Sequence, residues 1–156
     1  FAGTGALGLE CISRGASSCV FVELSNKHSK IMRQNAKSIG ISSNLTQFRI
    51  EDAFVAIKKL NSNRESFDYI FADPPYGEKN INKRSESFAQ QMLDDDNLPS
   101  ILKDNGRLIL GHTKRDTLEF VKPWKLRKTL KHGDTLIEII ELTQIKSVST
   151  RLPETN

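Results

Sequence analysis

Cysteine is scarce in this sequence, and long apolar runs are missing. The 156 residues include two cysteines, Cys11 and Cys19, which form no CxxC pair and have no His-Cys cluster nearby. A disulfide framework and a cysteine-rich metal site are therefore not expected, and we interpret both cysteines as reduced core residues. No apolar run approaches the roughly 20 residues that a membrane-spanning helix needs. We therefore expect no metal and no membrane partner. Because no signal peptide is visible either, we expect a cytoplasmic protein.

Chain length limits the number of domains, and net charge indicates which kinds of partner suit the protein. A chain of 156 residues has the size of one domain with a buried core, and it is too short for a second domain of comparable size. Lysine and arginine number 23 against 19 acidic residues, which gives a net charge of +4. This mild excess suits a polyanionic partner, although many proteins that bind none share it. Nothing in the pattern calls for more than a monomer.

Helical and strand patterns alternate along most of the chain. Helices are predicted over residues 5–14, 26–39, 53–60 and 85–96, the second of them capped by Ser25. Strands are predicted over residues 19–23, 45–50, 67–72 and 107–111. Strands that alternate with helices at this spacing indicate a mostly parallel sheet with helices on both faces.

The last two strands connect differently. Trp124–His132 and Thr135–Leu142 both have strand patterns, and only Gly133-Asp134 joins them. A link of this length is too short for a crossover, so the two strands should pair antiparallel. The predicted fold is a Rossmann-like α/β domain over residues 1–142, with a terminal antiparallel hairpin and a polar tail over 143–156.

The sequence begins with Phe1 rather than methionine, directly before a glycine-rich motif. Such a motif normally follows a strand. We therefore expect that the first strand of the sheet, and whatever preceded it, is missing from this fragment.

Gly3, Gly5 and Gly8 fit the pattern GxGxxG, in which glycines let the backbone turn tightly against a ligand at the start of a helix. Alone the pattern is weak, because an ordinary strand-to-helix turn has the same glycines. Glu23, however, ends the next predicted strand, where a carboxylate accepts hydrogen bonds from both hydroxyls of a ribose. The combination favours a cofactor that contains adenosine, and it suits NAD as well as S-adenosylmethionine.

The run Asp73-Pro74-Pro75-Tyr76 separates these two cofactors. An amino group whose lone pair is delocalised into a base or an amide is a poor nucleophile. Hydrogen bonds from its N–H groups to the Asp73 carboxylate and the Pro74 carbonyl would pull the nitrogen toward tetrahedral geometry. The prolines would hold these acceptors in place before the substrate arrives, and Tyr76 offers a face for a base to stack on. The motif predicts N-methylation rather than hydride transfer, with an ordinary proline-rich turn as the alternative.

Asp52 and Ala53 follow the strand predicted over residues 45–50. In such a fold this position usually contacts the amino group of an adenine, but aspartate is also a common helix N-cap. One side chain can serve in both ways. His28, His112 and His132 are scattered along the chain, and we interpret each as a packing or surface residue rather than a ligand.

Two groups of basic residues are candidates for contacts with RNA phosphates. Lys125, Arg127 and Lys131 share one face of the strand predicted over 124–132, although a solvated strand face has the same pattern. The polar stretch 77–84, which we expect to be mobile, carries the second group: Lys79, Lys83 and Arg84. This group is the better candidate, because it follows Asp73 and would overhang the amino-group site.

Six segments carry a family resemblance: Phe1–Glu10, Ser13–Ala16, Phe21–Glu23, Asp52–Ala53, Asp73–Tyr76 and Gly133–Thr135. Together they closely resemble the RsmD family, bacterial enzymes that methylate N2 of one guanine in 16S ribosomal RNA. The resemblance covers residues 1–142. Its first sixteen residues are far more specific than the glycines alone, which methyltransferases share generally.

The resemblance implies a class I methyltransferase that uses S-adenosylmethionine and acts on 16S ribosomal RNA or an assembling small ribosomal subunit. Carried over by position, it implies cofactor contacts at Ala2, Gly3, Thr4, Gly5, Glu23, Asp52 and Ala53. It also implies an amino-group site at Asp73, Pro74, Pro75 and Tyr76. The family has an extra N-terminal segment, and the resemblance implies that this segment forms part of the surface that contacts the cofactor and the RNA. The segment is absent from this sequence.

Three functions compete. The first is the guanine-N2 enzyme of ribosomal RNA, and the second is an adenine-N6 enzyme of nucleic acid or a protein-glutamine enzyme that shares the amino-group motif. The third is a nicotinamide-binding Rossmann module, which leaves Asp73 without a role. The first is favoured, because adenine-N6 DNA enzymes usually carry a target-recognition domain and this chain has no room for one.

Overall fold

The computed structural model describes residues 1–76 and 83–143. The helices are α1 (Ala6–Ser13), α2 (Asn26–Ser38), α3 (Ala53–Ser62) and α4 (Phe88–Asp94), and two 3-10 turns lie at Ser43–Leu45 and Pro99–Ile101. The strands are β1 (Cys19–Val22), β2 (Thr46–Arg49), β3 (Phe67–Ala72), β4 (Leu102–Thr113), β5 (Trp124–His132) and β6 (Thr135–Leu142). Lys79, most of the stretch predicted to be mobile, and nearly all of the predicted tail lie outside the described residues.

Side chains at the helix starts explain where α2 and α3 begin. The Ser25 hydroxyl accepts a hydrogen bond from the His28 amide at 3.3 Å, which confirms the predicted N-cap. One oxygen of Asp52 accepts from the Phe54 amide at 2.8 Å. Both contacts satisfy amides that have no partner inside their helix.

The strands form two ladders. β1 pairs with β2 and β3 pairs with β4, both in parallel, while β6 lies antiparallel between β4 and β5. Among the described residues the ladders are separate sheets, one of them ordered β3-β4-β6-β5. The amino group of Phe1 and the amide of Ala2 donate to the Val22 carbonyl at 2.8 and 2.9 Å, which places these residues beside the end of β1. The α/β class and the terminal hairpin are confirmed.

Each ladder has its own hydrophobic core. α1 and α2 pack on β1 through a cluster of buried residues that includes Leu9, Phe21 and Met32. α3 and α4 pack on β3, β4 and β6 through a larger cluster. Helix α1 lies close to its strand, because a Cβ on Gly8 would lie 2.4 Å from the ring of Phe21. No helix in the described part of the chain has the length and apolarity to span a membrane.

The two cysteines are free thiols, and both are half-buried rather than fully in the core. Burial raises the pKa of Cys19 to about 11. A thiol with such a pKa stays protonated near neutral pH and is a poor nucleophile.

Two elements differ in extent from the sequence expectation. Helix α4 spans residues 88–94 rather than 85–96, because Ser87 caps its first turn through the Gln90 amide and Asp95 is already extended. Strand β4 begins at Leu102 rather than Arg107. Phe67 pairs with Leu102 and Tyr69 with Arg107, so residues 103–106 bulge out of the ladder between them.

Strand β5 contains a bulge, and because of it the basic face predicted for this strand is wrong. Leu126 pairs with Ile140 and Lys128 with Ile139, so Arg127 has no partner in the ladder. An extra residue inverts the alternation of side chains beyond it. Lys125 and Lys131, predicted to share a face, therefore lie on opposite faces of the sheet.

Candidate active site

The glycine loop between Ala2 and helix α1 has the backbone conformation that its sequence suggests. Gly3 has a φ of +56° and Gly5 a φ of +79°, both in the left-handed region that favours glycine. A Cβ on Gly5 would lie 2.6 Å from Met32, so a side chain is excluded there by packing. A Cβ on Gly3 would meet no atom within 4 Å. Open space thus lies against the loop at Gly3.

Glu23 lies directly after β1 and is tied to the glycine loop. One of its carboxylate oxygens accepts from the Gly3 amide at 2.7 Å and the other from the Ser25 amide at 2.8 Å. Burial would raise the pKa of Glu23, but the hydrogen bonds from these two amides outweigh it, and the pKa lies below its usual range. The side chain is therefore an ionised acceptor, and each oxygen keeps capacity for a further hydrogen bond.

Helix α2 fixes the loop from its other side. The side-chain amide of Asn35 donates to the Thr4 carbonyl at 3.0 Å. Asn35 was not among the predicted site residues. A signal for it was present in the sequence, because it is a polar residue beside Ala36 and one turn from Met32, both of which are buried in α2.

Asp52 and Ala53 stand at the start of α3. The oxygen of Asp52 that accepts from the Phe54 amide also accepts from the Val55 amide at 3.2 Å, so the capping role is present and the second oxygen remains for another donor. Ala53 is buried. The ring of Phe1, whose amino group donates to the end of β1, lies 6.5 Å from the ring of Phe54, measured between centroids. This contact brings the start of α3 toward the glycine loop.

The run from Asp73 to Tyr76 leaves the sheet at the end of β3. Pro74 is buried, whereas Asp73, Pro75 and Tyr76 are exposed. The buried proline anchors the run, and its neighbours face solvent at the edge of the sheet where parallel strands end. This edge is where ligands bind in open α/β sheets.

Two residues far along the chain support this run, and neither was among the predicted site residues. A Cβ on Gly111 of β4 would lie 2.6 Å from a carboxylate oxygen of Asp73, so only glycine leaves room for that carboxylate. The hydroxyls of Tyr76 and Thr135, the first residue of β6, are 3.0 Å apart. A signal for Gly111 was present in the sequence, because it ends the strand predicted over residues 107–111.

His112 and Arg84, two other polar residues considered in the sequence, contact residues outside the predicted site. His112 is buried, with its ring nitrogens 3.0 Å from the Asp116 carbonyl and 3.2 Å from the Glu138 carboxylate. Arg84 makes a bidentate pair with Asp94 at 2.6 Å. Within residues 1–76 and 83–143, no group of three or more His, Cys, Asp or Glu could hold a metal ion.

Lys125, Arg127 and Arg107 all pair with Glu141, at distances of 3.3 to 3.4 Å. They line a groove of about 460 Å³ on the β5–β6 hairpin. This groove lies toward the ends of β5 and β6 that are remote from Thr135, and so from Tyr76.

The glycine loop and Glu23 fit a cofactor that contains adenosine. Open space at Gly3 admits a ligand against the backbone, and the ionised, partly satisfied carboxylate of Glu23 suits hydroxyl donors.

Comparison with known proteins places the chain among methyltransferase folds. YlbH of Bacillus subtilis is 33% identical over 97 residues, which are 62% of this chain and 52% of that protein. The ribosomal RNA small subunit methyltransferase D of Buchnera aphidicola is 28% identical over 128 residues, 82% of this chain and 61% of that protein. The chain thus spans about half to three fifths of the length of these relatives.

Among solved structures, SMU.776 in complex with SAH superposes with a TM-score of 0.71 at 16% identity, over 90% of this chain and 43% of that chain. At this identity the likeness concerns the fold. A family model described as conserved hypothetical protein 95 matches residues 1–141. Because this match takes in nearly the whole sequence, the chain belongs to that family, which is the RsmD family.

Proposed function

We propose that this chain transfers a methyl group from S-adenosylmethionine to the exocyclic N2 amino group of a guanine in small-subunit ribosomal RNA. The observation that carries the proposal is the run Asp73–Tyr76, held at the ligand-binding edge by buried Pro74 and by the space that Gly111 leaves for Asp73. The RNA and its small-subunit origin rest on family membership and on the name of the Buchnera relative.

For this reaction the site must raise the nucleophilicity of a planar amine. The Asp73 carboxylate and the Pro74 carbonyl accept hydrogen bonds from the two N–H groups of the guanine amine, which draws its lone pair out of the ring. Because both acceptors are in place beforehand, little reorganisation accompanies the reaction. The ring of Tyr76, tethered to Thr135, stacks on the base that has left its neighbours.

The cofactor supplies an electrophilic methyl group on a sulfonium when it is bound. Glu23 would hold its ribose hydroxyls, the loop Ala2–Gly5 would approach it through the backbone, and Asp52 with Ala53 would contact its adenine. SAH in the fold neighbour SMU.776 supports this choice of ligand. The nitrogen–carbon bond forms as the sulfur–carbon bond breaks, and the surplus amine proton leaves afterwards, so positioning matters more than a strong base.

The other expectations are part of the same proposal. Residues 1–142 form the methyltransferase domain, which acts as a monomer in the cytoplasm on 16S ribosomal RNA or an assembling small subunit. Adenine-N6 and protein-glutamine methylation use the same acceptors, and only the substrate distinguishes them.

The test is to incubate the protein with methyl-labelled S-adenosylmethionine and four acceptors in parallel. These are undermethylated small subunits, undermethylated large subunits, naked DNA and a release-factor protein. Label in small-subunit RNA, recovered as N2-methylguanine after digestion, is the expected result. Label in DNA or protein alone, or in RNA as a different nucleoside, would contradict the proposal.

A further inference from the structure

One flank of helix α2 carries only positive charges. Four residues form it and are here called the α2 stripe: Lys27, Lys30, Arg33 and Lys37. We propose that the α2 stripe is an RNA-binding surface that contacts backbone phosphates. The inference rests on the proposed function, and it adds a place outside the amino-group site where the RNA backbone binds.

Helical periodicity brings the four side chains of the α2 stripe together. They fall within about 120° of the helix circumference, and all of them are exposed. Met32 and Ala36 lie on the other side of the helix, buried in the core cluster that includes Phe21 of β1. From Lys27 to Lys37 the helix rises about 15 Å. A row of cations of this length suits the row of phosphates along a nucleic-acid strand.

The charges of the α2 stripe are not neutralised within the described part of the chain. None of its members has an ion-pair partner there, and α2 itself contains no acidic residue. Arg33 and Lys37 are also one helical turn apart, where like charges repel. Exposed lysines elsewhere differ, since Lys59, Lys103 and Lys114 each pair with an acid. A bound polyanion would relieve the repulsion along the α2 stripe.

Arg33 is held in place without losing its charge. Its guanidinium carbon lies 4.6 Å from the centre of the Phe48 ring on β2, a contact that attracts a cation but does not neutralise it. The N–H groups of the guanidinium remain suited to phosphate oxygens, which they can bind in pairs. The α2 stripe therefore combines one positioned guanidinium with three lysines.

The α2 stripe and the glycine loop lie against different flanks of the helix. Asn35 donates to the Thr4 carbonyl at 3.0 Å, and Nδ1 of His28 is 3.8 Å from a carboxylate oxygen of Glu23. Around the helix axis, Asn35 and His28 are about 80° or more from every member of the α2 stripe. RNA bound to the stripe would therefore leave the cofactor half of the site open.

The packing of α2 favours a nucleic acid over a membrane as the partner. A basic helix that lies on a membrane inserts a free apolar face. The apolar side of α2 is already used in the core, since Met32 is 0% and Ala36 6% exposed. A polyanion in solution needs no such face, and RNA is the polyanion of the proposed reaction.

The experiment measures binding of a fluorescein-labelled single-stranded RNA by anisotropy over a range of salt concentrations, without turnover. The stripe variant combines Lys30→Gln with Lys37→Gln. Its control combines Lys58→Gln with Lys122→Gln, which removes the same charge from two exposed lysines outside α2. Glutamine and lysine have similar helix propensities, so α2 should persist, and circular dichroism checks this.

For the stripe variant we expect about tenfold weaker binding and a slope of log K against log salt that is shallower by roughly 1.4, as for two lost contacts to single-stranded phosphates. The control variant should bind RNA like the wild type. Calorimetry should give all three proteins the same affinity for S-adenosylmethionine, because the α2 stripe is separate from the glycine loop.

An unchanged salt slope in the stripe variant, or an equal loss in the control, would overturn the inference. Binding of a polyglutamate peptide as tight as that of RNA, and lost in the same variant, would assign the α2 stripe to an acidic protein and also overturn it. The methylation assay is read separately. The expected slope change with label only in protein would contradict the proposed function alone, whereas N2-methylguanine with an unchanged slope would contradict the α2 stripe alone.

Discussion

The two halves of the site are held in different ways. In the cofactor half, the Gly3 amide, Glu23 and Ser25 form a chain of hydrogen bonds in which backbone groups are the donors. In the acceptor half, Asp73 is positioned by the space at Gly111 and Tyr76 by the hydroxyl of Thr135. These contacts of the first half all lie within the first 25 residues, whereas those of the second half depend on strands that come much later in the chain.

This difference suggests a division of labour that substitutions can separate. In the cofactor half, hydrogen bonds from backbone amides hold the ionised Glu23 carboxylate as an acceptor suited to a ribose. This arrangement does not depend on the substrate that receives the methyl group. The acceptor half must align a nitrogen with the methyl group, and its supports come from β4 and β6. Changes in the second half should reduce turnover and leave cofactor affinity alone.

The largest expected effect is that of Asp73→Ala. Removal of one preorganised acceptor should lower the methylation rate by about 10³-fold, measured with saturating labelled cofactor and RNA. Asp68→Ala is the matched control, because Asp68 lies on β3, the strand that Asp73 follows, and is an exposed carboxylate paired with Lys103 at 2.8 Å. A normal rate in Asp73→Ala, or an equal loss in Asp68→Ala, would show that Asp73 has no special role.

Gly111→Ala should have a smaller effect on the same half. The added methyl group would push the Asp73 carboxylate out of its place, and because that carboxylate is exposed and can turn toward solvent, the fold should tolerate the change. We expect the rate constant to fall by about tenfold with little change in the melting temperature. Ile109→Val, two residues away on the same strand, serves as the control, and a Gly111→Ala enzyme of full activity would be incompatible with the assigned position of Asp73.

Tyr76→Phe keeps the stacking ring and removes one hydrogen bond. The KM for RNA should rise by about two- to fivefold, the range of a single neutral hydrogen bond. Thr135→Val should produce the same change, and the double variant should add nothing to either, since both remove one contact. Additive losses would mean that the two hydroxyls act separately.

The smallest effect concerns stability. The pKa of Glu23 is lowered in the folded state, so its contribution is complete above the unfolded pKa and is lost as pH falls through the folded pKa. The difference in free energy of unfolding between wild type and Glu23→Gln should therefore be largest near neutral pH and shrink as the pH falls below the usual titration range of a glutamate. Chemical denaturation at several pH values measures it, and a difference independent of pH would mean that the Glu23 charge does not stabilise the fold.

Local patterns predicted much of the molecule. The order of helices and strands, the Ser25 cap and the Gly133-Asp134 hairpin are encoded by adjacent residues, and the structure reproduces them. The run Asp73–Tyr76 was visible for the same reason, because two prolines after a β-rich segment define both its start and its rigidity.

What sequence reasoning missed depends on pairing between distant segments. The bulge at Arg127 is a property of the register between β5 and β6, and simple alternation along β5 assigns Lys131 to the wrong face. The bulge over residues 103–106 hides the true start of β4 in the same way. Gly111 and Thr135 gain their roles only when β4 and β6 arrive beside Asp73 and Tyr76.

The most direct test of the division between the halves is the calorimetric affinity for S-adenosylmethionine of Asp73→Ala, measured beside that of Glu23→Gln. Asp73→Ala should bind within about twofold of the wild type, whereas Glu23→Gln should bind about tenfold more weakly or worse, because it loses charged hydrogen bonds. An Asp73→Ala protein that loses the cofactor as severely as Glu23→Gln would contradict the account.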